Sequence, residues 1–287
     1  MHSTLCDFFE KEKIEYFGVI PIEECIVQKK HLLEKIDSFS PKSVICYAVP
    51  YYTGAGKNLS CYALSRDYHI FMKEIGQKLC DTLVSQGVAH FAVPFSDHSP
   101  FDEVSLAAKA GLGVRGENRL LLTEKYSSFV FIGEVVTDVD AETLGYVKAE
   151  EIRACQKCNK CKTACPSGCL LDAKCECLSS ISQKKGELSP NEKALLIKEN
   201  TAWGCDVCQL CCPHTQRAIQ KNTLFTPIDY FYQNKIDRLS CRQIDEMDEK
   251  EFQMRAYSWR KRETIKRNLF ILESADEKNS QSAYKGE

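Results

Sequence analysis

Cysteine spacing between residues 155 and 212 constrains this chain more than any other feature. Eleven of its seventeen cysteines lie in that segment. The first run, CQKCNKCKTACP, has the spacing C-x2-C-x2-C-x3-C-P, by which bacterial chains bind [4Fe–4S] clusters. Three thiolates bind one cubane, and the fourth, before the proline, binds a second cluster. A structural zinc site normally uses two C-x2-C pairs separated by a longer loop. The run therefore predicts two iron–sulfur clusters.

A second run, CDVCQLCCP, completes the two ligand sets. Proline follows Cys212 as it follows Cys165, so we expect Cys212 to bind the first cluster. The segment LDAKCECLSSI supplies the missing ligand of the second cluster through Cys175 or Cys177. The assignment that follows places Cys155, Cys158, Cys161 and Cys212 on the first cluster, and Cys165, Cys177, Cys205 and Cys208 on the second. Cys169, Cys175 and Cys211 are then spare, and Cys211 is the main alternative because Cys205, Cys208 and Cys211 also match C-x2-C-x2-C.

Composition and charge favour a cytoplasmic protein without a membrane partner. The chain has no run of 18 apolar residues and no basic-then-apolar signal at its N-terminus. Thiols stay reduced in that compartment, so the clustered cysteines are predicted to be metal ligands rather than disulfides. The 38 basic and 40 acidic residues nearly balance, which gives no overall field for binding nucleic acid.

The cysteine region divides the chain into predicted domains. Residues 1–150 predict an α/β (α+β) domain, in which the strand runs SVICYAVPYY, HFAVPF and SSFVFIGEVVTDV alternate with helical segments. Residues 151–227 hold the cysteine runs, and 228–273 predict a charged helical pair. Residues 274–287 are polar and predicted to be disordered.

A glycine-rich turn follows the helix in DEVSLAAKAGLGVRGEN. Its Gly111, Gly113 and Gly116 match G-x-G-x-x-G, but a helix rather than a strand precedes them. That order is wrong for a dinucleotide site. The glycines instead predict a tight turn that lets the backbone approach a large ligand.

Several stretches, in the family's own order, resemble the epoxyqueuosine reductase family, which comprises cobalamin-dependent iron–sulfur enzymes of queuosine tRNA modification. The stretches are SRDYH (65–69), DHSPFDEVSLAAKAGLGVRGEN (97–118), FIGEVVTD, the cysteine runs, and FQMRAYSWRKRETIKRN. The resemblance covers roughly residues 40–270. It also favours Cys177, Cys205, Cys208 and Cys212 as ligands.

The resemblance implies a fold and a function. The fold is a cobalamin-binding domain of the nitroreductase and reductive-dehalogenase type, followed by a double-cluster ferredoxin-like domain. The function is reduction of epoxyqueuosine to queuosine in tRNA by a monomer, with two [4Fe–4S] clusters, base-off cobalamin and an external low-potential donor such as flavodoxin or ferredoxin. The family continues into HEAT-like helices that help to bind tRNA, and we expect weaker tRNA contact without them. Two alternatives stay open: a different small-molecule substrate with the same cofactors, or a two-cluster electron carrier.

The resemblance also implies roles for individual residues. Asp97 matches the catalytic aspartate, and its alternative role is to cap the helix that follows. Tyr68 and His69 are predicted to contact cobalamin or substrate, and ordinary packing is the alternative. Glu103, in the same motif as Asp97, either orients its neighbours or faces solvent. The remaining predicted cofactor contacts are Gly111, Gly113, Gly116 and Asn118.

A late basic cluster allows two interpretations. Its members either contact phosphates of a nucleic acid or form a solvated helix face, as the acidic segment DEMDEKE just upstream suggests. The cluster comprises Arg255, Arg260, Lys261, Arg262, Lys266 and Arg267.

Overall fold

A computed structural model describes residues 2–148 and 155–284, which combine helices with a sheet and divide into two compact units. The sheet unit contains the described residues of 1–51, 69–158 and 213–228, and the helical unit those of 52–68, 159–212 and 229–287. Each unit therefore combines three segments, whereas the sequence predicted continuous domains. The physical reason is that Leu59, Ala63 and Leu64 lie in the hydrophobic core of the helical unit, far along the chain from its other members.

The sheet unit is built on four antiparallel strands. In chain order the strands of the structure are β1 Tyr16–Pro21, β2 Ser43–Pro50, β3 Ala92–Phe95, β4 Val114–Arg115, β5 Leu121–Leu122 and β6 Val130–Thr137. The main sheet has the order β1-β2-β6-β3, and β4 pairs with β5 separately. Every residue of β2 is buried, which explains its nearly continuous apolar sequence.

Helices occupy much of the rest of the described chain. They are α1 His2–Lys11, α2 Lys30–Leu33, α3 Tyr68–Ser85, α4 Glu103–Lys109, α5 Lys160–Thr163, α6 Leu178–Ser182, α7 Pro190–Lys198, α8 Val207–Leu210, α9 Pro213–Gln220, α10 Cys241–Glu246, α11 Glu249–Gln253 and α12 Lys261–Tyr284. Among the residues described, none of these helices has the length and apolar composition needed to cross a bilayer.

Helix α4 covers one face of the main sheet. Leu106 and Ala107 of α4 share a hydrophobic core with Cys46 of β2 and Val136 of β6. Cys46 stands directly opposite Glu134 of β6, so both side chains lie on the face beneath α4. A carboxyl group is thus placed inside an apolar core.

The helical unit packs around Trp203 and Tyr257, both fully buried. Its longest helix, α12, packs against α7 and α10 and continues to Tyr284. The structure thus continues α12 through residues 274–284, for which the sequence predicted disorder. A helix that is already nucleated by packing extends at little further cost, and the segment SADEKNSQSAY contains good helix formers.

Candidate functional site

Asp97 lies in the loop between β3 and α4, at the strand end that the sequence predicted. Its backbone is left-handed (φ +60°), a conformation that costs a non-glycine residue about 1–2 kcal/mol. Its N–H donates to Glu103 Oε1 at 2.8 Å, which helps to hold that conformation. The alternative role of helix cap belongs to another residue, since Asp102 Oδ1 accepts the Ser105 N–H at the start of α4.

His69 and Asp97 form an ion pair in the sheet unit. His69 Nε2 lies 2.8 Å from Asp97 Oδ2, and the side chains are 46% and 49% exposed. The structure thus brings together two of the predicted site residues at a position open to solvent. Tyr68, the first residue of α3, instead packs its ring edge-on against Tyr62 in the helical unit.

Two carboxyl groups, one partly buried and one completely buried, support the Asp97 loop. Burial, followed by the negative charge of Asp97, raises the pKa of Glu103 to about 7. Glu134 is completely buried, and burial raises its pKa to about 8. Ser99 Oγ, two residues after Asp97, donates to Glu134 Oε2, while Glu134 Oε1 has no hydrogen-bond partner among the described residues. The contact of Glu103 with the Asp97 amide favours the alternative in which Glu103 orients its neighbours.

The glycine-rich turn is shaped by the chain itself. Gly111 has a positive φ of 83° just after α4. A Cβ on Gly113 would lie 2.3 Å from the Leu122 carbonyl oxygen, and one on Gly116 would lie 2.6 Å from Asn118 Oδ1. The close approach that requires glycine at positions 113 and 116 is therefore to the chain's own atoms. Cofactor contact by this turn and by the buried Asn118 stays a prediction.

Four cysteines predicted for the second cluster lie near one another in the helical unit. Negative charge on Cys165 and Cys177 raises the pKa of the Cys205 thiol. Negative charge on Cys205 and Cys177 likewise raises the pKa of the Cys208 thiol. Burial, the largest effect, raises the pKa of Cys205 to about 12. Metal coordination deprotonates such thiols, so a group of neighbouring cysteine thiols of this kind fits a metal cluster. Between the two candidates from the sequence, it is Cys177 that joins this group.

The spare cysteines take other positions. Cys211 Sγ donates to the Cys208 carbonyl oxygen at 3.7 Å. Cys169 is buried, with its sulfur 3.6 Å from that of Cys165. Cys175 is exposed. Cys169 and Cys211 therefore lie beside predicted ligands, and the ligand assignment stays a prediction.

The four ligands predicted for the first cluster belong to different compact units. Cys155 and Cys158 lie in the sheet unit, and Cys161 and Cys212 lie in the helical unit. Within residues 2–148 and 155–284, no three or more His, Cys, Asp or Glu side chains are arranged to hold one metal ion. A [4Fe–4S] cubane does not require its ligands to converge on one ion, because each cysteine binds a different iron atom.

Asp206 anchors the second cysteine run inside the helical unit. Its carboxylate accepts from Ser60 Oγ at 2.6 Å, from the Cys61 N–H at 2.7 Å and from Gln209 Nε2 at 3.1 Å. These bonds fix the chain between Cys205 and Cys208. No role was predicted for Asp206 from the sequence, although the motif G-C-D-x-C-Q places this residue between two predicted cluster ligands.

Comparison with known proteins agrees with this geometry. A family model described as "Epoxyqueuosine reductase QueG, DUF1730" matches residues 38–97, which end on Asp97. A curated "Epoxyqueuosine reductase" from Gloeobacter violaceus is 29% identical over 84% of this chain and 76% of its own length. The chain is thus similar to epoxyqueuosine reductases over most of its length. It spans only 39–49% of seven other curated relatives that carry the same name.

Solved structures of the epoxyqueuosine reductase family share the fold. The structure of epoxyqueuosine reductase from Streptococcus thermophilus gives a TM-score of 0.75 at 20% identity, over 95% of this chain and 81% of that one. A crystal structure of epoxyqueuosine reductase "with a tRNA-TYR epoxyqueuosine-modified tRNA stem loop" gives the same values. At this identity the likeness establishes the mixed helix and sheet fold.

The late basic cluster is largely engaged in contacts inside the helical unit. Arg255 is 3% exposed and donates to the Asn234 carbonyl oxygen and to Glu251. Arg262 and Arg267 donate to backbone carbonyl oxygens, and Lys266 pairs with Asp245. Arg260 stacks over the Trp259 ring at 3.9 Å. These contacts favour a structural role for most of the cluster over contact with phosphates.

Proposed function

We propose that this chain is a cobalamin- and iron–sulfur-dependent reductase that converts epoxyqueuosine to queuosine in tRNA. The observation that carries the proposal is the open His69–Asp97 pair, in a chain similar to this family that also holds a group of neighbouring cysteine thiols. The names of the curated relatives support the reaction, and the stem-loop complex of a family member supports tRNA as the partner.

The reaction requires a proton donor at the place where the oxygen leaves. Removal of an epoxide oxygen as water, to leave an alkene, consumes two electrons and two protons. When the first C–O bond breaks, the alkoxide formed needs a proton from a positioned acid. Asp97 is half-exposed, and its Oδ2 lies 2.8 Å from His69 Nε2. A protonated His69 would pass its proton to the Asp97 carboxylate, and Asp97 would donate that proton to the alkoxide.

The cofactors enter the proposal through the chain's own residues. Cys165, Cys177, Cys205 and Cys208 would hold one [4Fe–4S] cluster, and their mutually close thiols fit such a group. The other cluster would use Cys155, Cys158, Cys161 and Cys212.

Cobalamin, when bound and reduced, supplies a two-electron nucleophile for carbon. The open side chains of His69 and Asp97 fit a large group beside them, whereas the glycine-rich turn supplies no open cradle because it packs on β5. The proposed fold is accordingly a cobalamin-binding domain with a double-cluster ferredoxin-like domain. An external low-potential donor would deliver electrons singly to the clusters. A monomer in the cytoplasm is part of the same proposal.

Turnover under anaerobic conditions tests the proposed function. Protein with reconstituted clusters and added cobalamin is given a strong reductant and a tRNA anticodon stem-loop that carries epoxyqueuosine. In parallel it is given the free epoxyqueuosine nucleoside. Mass spectrometry is expected to detect loss of one oxygen from the stem-loop. Reaction of the free nucleoside alone would contradict tRNA as the partner, and reaction of neither, with both cofactors bound, would contradict the substrate.

A further inference from the structure

The loop from residue 96 to residue 102 is held by hydrogen bonds to the partly buried carboxyl group of Glu103 and the completely buried one of Glu134. Glu103 Oε1 accepts the Asp97 N–H at 2.8 Å, and Glu134 accepts from Ser99 Oγ. Ser99 is 1% exposed, and its Oγ also accepts the Phe101 N–H at 3.0 Å. The side of the loop that includes Ser99 is therefore fixed in the core, whereas Asp97 projects into solvent and is fixed through its amide.

Asp97 needs this restraint because its backbone is left-handed. An aspartate at φ +60° relaxes towards ordinary backbone conformations unless neighbouring contacts hold it. Relaxation would turn the Asp97 carboxylate away from His69 Nε2. The bond from the Asp97 N–H to Glu103 is the contact that acts directly on this residue, and it is strongest when Glu103 is ionised.

We propose that Glu103 is a positioning residue that holds the Asp97 loop in its catalytic arrangement and releases the loop when Glu103 takes up a proton. The inference rests on the proposed function for its catalytic meaning. It also extends that function, because it gives the site a pH-dependent restraint on the proton donor. Loss of a charge-assisted hydrogen bond should raise the equilibrium constant for opening of the loop by about tenfold or more.

The charges around Glu103 are consistent with a proton uptake near neutral pH. Burial and the charge of Asp97 raise the pKa of Glu103 to about 7, whereas the bond from the Asp97 amide opposes that rise. The titratable and charged groups that face it from surrounding elements are Asp97, Asp102, Lys29, Glu134 and Cys46. Lys29 favours the ionised form, and the acidic groups favour the protonated form.

Hydrogen exchange of the loop tests the proposal without substrate, so its outcome is independent of the turnover assay. Holoprotein is followed anaerobically by mass spectrometry of a peptide spanning residues 96–102, with rates corrected for intrinsic exchange. The wild-type rate is expected to rise about tenfold or more between about pH 8.5 and about pH 5.5. The variant Glu103→Gln keeps an acceptor oxygen but cannot titrate, so its corrected rate should lose the part of the pH dependence that Glu103 causes and keep only the part from Glu134, whose pKa is about 8. Glu103→Ala should exchange quickly throughout, and Glu74→Gln, on the exposed face of α3, should follow the wild type.

Three results would overturn the proposal. The first is a wild-type corrected rate that does not change with pH, and the second is a Glu103→Gln variant that keeps the full wild-type pH dependence. The third concerns catalysis: if Glu103 positions Asp97, the acid limb of the kcat profile disappears in Glu103→Gln while KM stays constant. An unchanged acid limb in this variant would show that protonation of Glu103 does not control the loop.

Discussion

Replacement of Glu134 by glutamine should change how the stability of the sheet unit depends on pH. Glu134 is completely buried, and its pKa rises from the model-compound value of 4.5 to about 8 in the folded chain. Between these values the folded state holds a proton that the unfolded state has lost. The free energy of unfolding therefore falls by about 1.4 kcal/mol for each pH step of one. The stabilising contribution is present in full below pH 4.5 and is lost by about pH 8, a total of roughly 5 kcal/mol.

Thermal unfolding of both proteins across this range measures the effect. Glutamine has nearly the same shape and can still accept from Ser99, but it has no titration. The wild-type Tm should fall relative to that of Glu134→Gln by about 3 °C for each pH step of one, taking about 2 °C per kcal/mol for a chain of this size. Cluster loss with pH affects both proteins equally and cancels in the difference. An infrared band from a protonated carboxylic acid should be present in the wild type and absent from the variant. Parallel Tm curves, together with an unchanged infrared spectrum, would refute a buried proton on Glu134.

Two further variants test the cysteine and basic clusters. Cys177→Ala should lower the iron content from about eight atoms per monomer towards four, because the second cluster loses a ligand. Cys175→Ala, at an exposed cysteine, should keep about eight iron atoms. The reverse pattern in an iron assay would exchange the two assignments. Arg262→Ala should destabilise the helical unit by about 1–3 kcal/mol, because Arg262 donates to the Ile244 and Asp248 carbonyl oxygens. The variant Lys261→Ala, at the exposed neighbouring residue, serves as the control. Equal Tm values for these two variants, with loss of stem-loop binding only in Arg262→Ala, would instead favour phosphate contact.

The strands of the sheet unit were predictable because apolar runs of moderate length read directly as buried strands. The run HFAVPF predicted a strand before Asp97, and β3 occupies Ala92–Phe95. The run SVICYAVPYY predicted another, and β2 occupies Ser43–Pro50. Helix α3 ends at Ser85, just before Gly87, as the glycine predicted. These signals are local, so a single sequence contains them.

The supports of the candidate site were not predictable, because they depend on contacts between distant segments. Glu134 reads as one charged residue in an apolar strand, and only the pairing of β6 with its neighbours shows that its side chain lies beneath α4. The pairing of His69 with Asp97 joins a helix start to a loop 28 positions later, and neither spacing nor periodicity encodes it. Contacts between distant segments also explain why each unit combines three separate segments of the chain.

The central claim is that Asp97 is the proton donor of an epoxide reduction, and one paired measurement tests it most directly. Wild-type protein and Asp97→Asn are loaded with clusters and cobalamin, their cofactor contents are matched, and each is reacted anaerobically with the epoxyqueuosine stem-loop. The variant Asp81→Asn, which removes an exposed α3 carboxylate, serves as the control for the change in charge. Mass spectrometry should detect loss of one oxygen with the wild type and the control, and none with Asp97→Asn. Oxygen loss by Asp97→Asn at the wild-type rate would contradict the account.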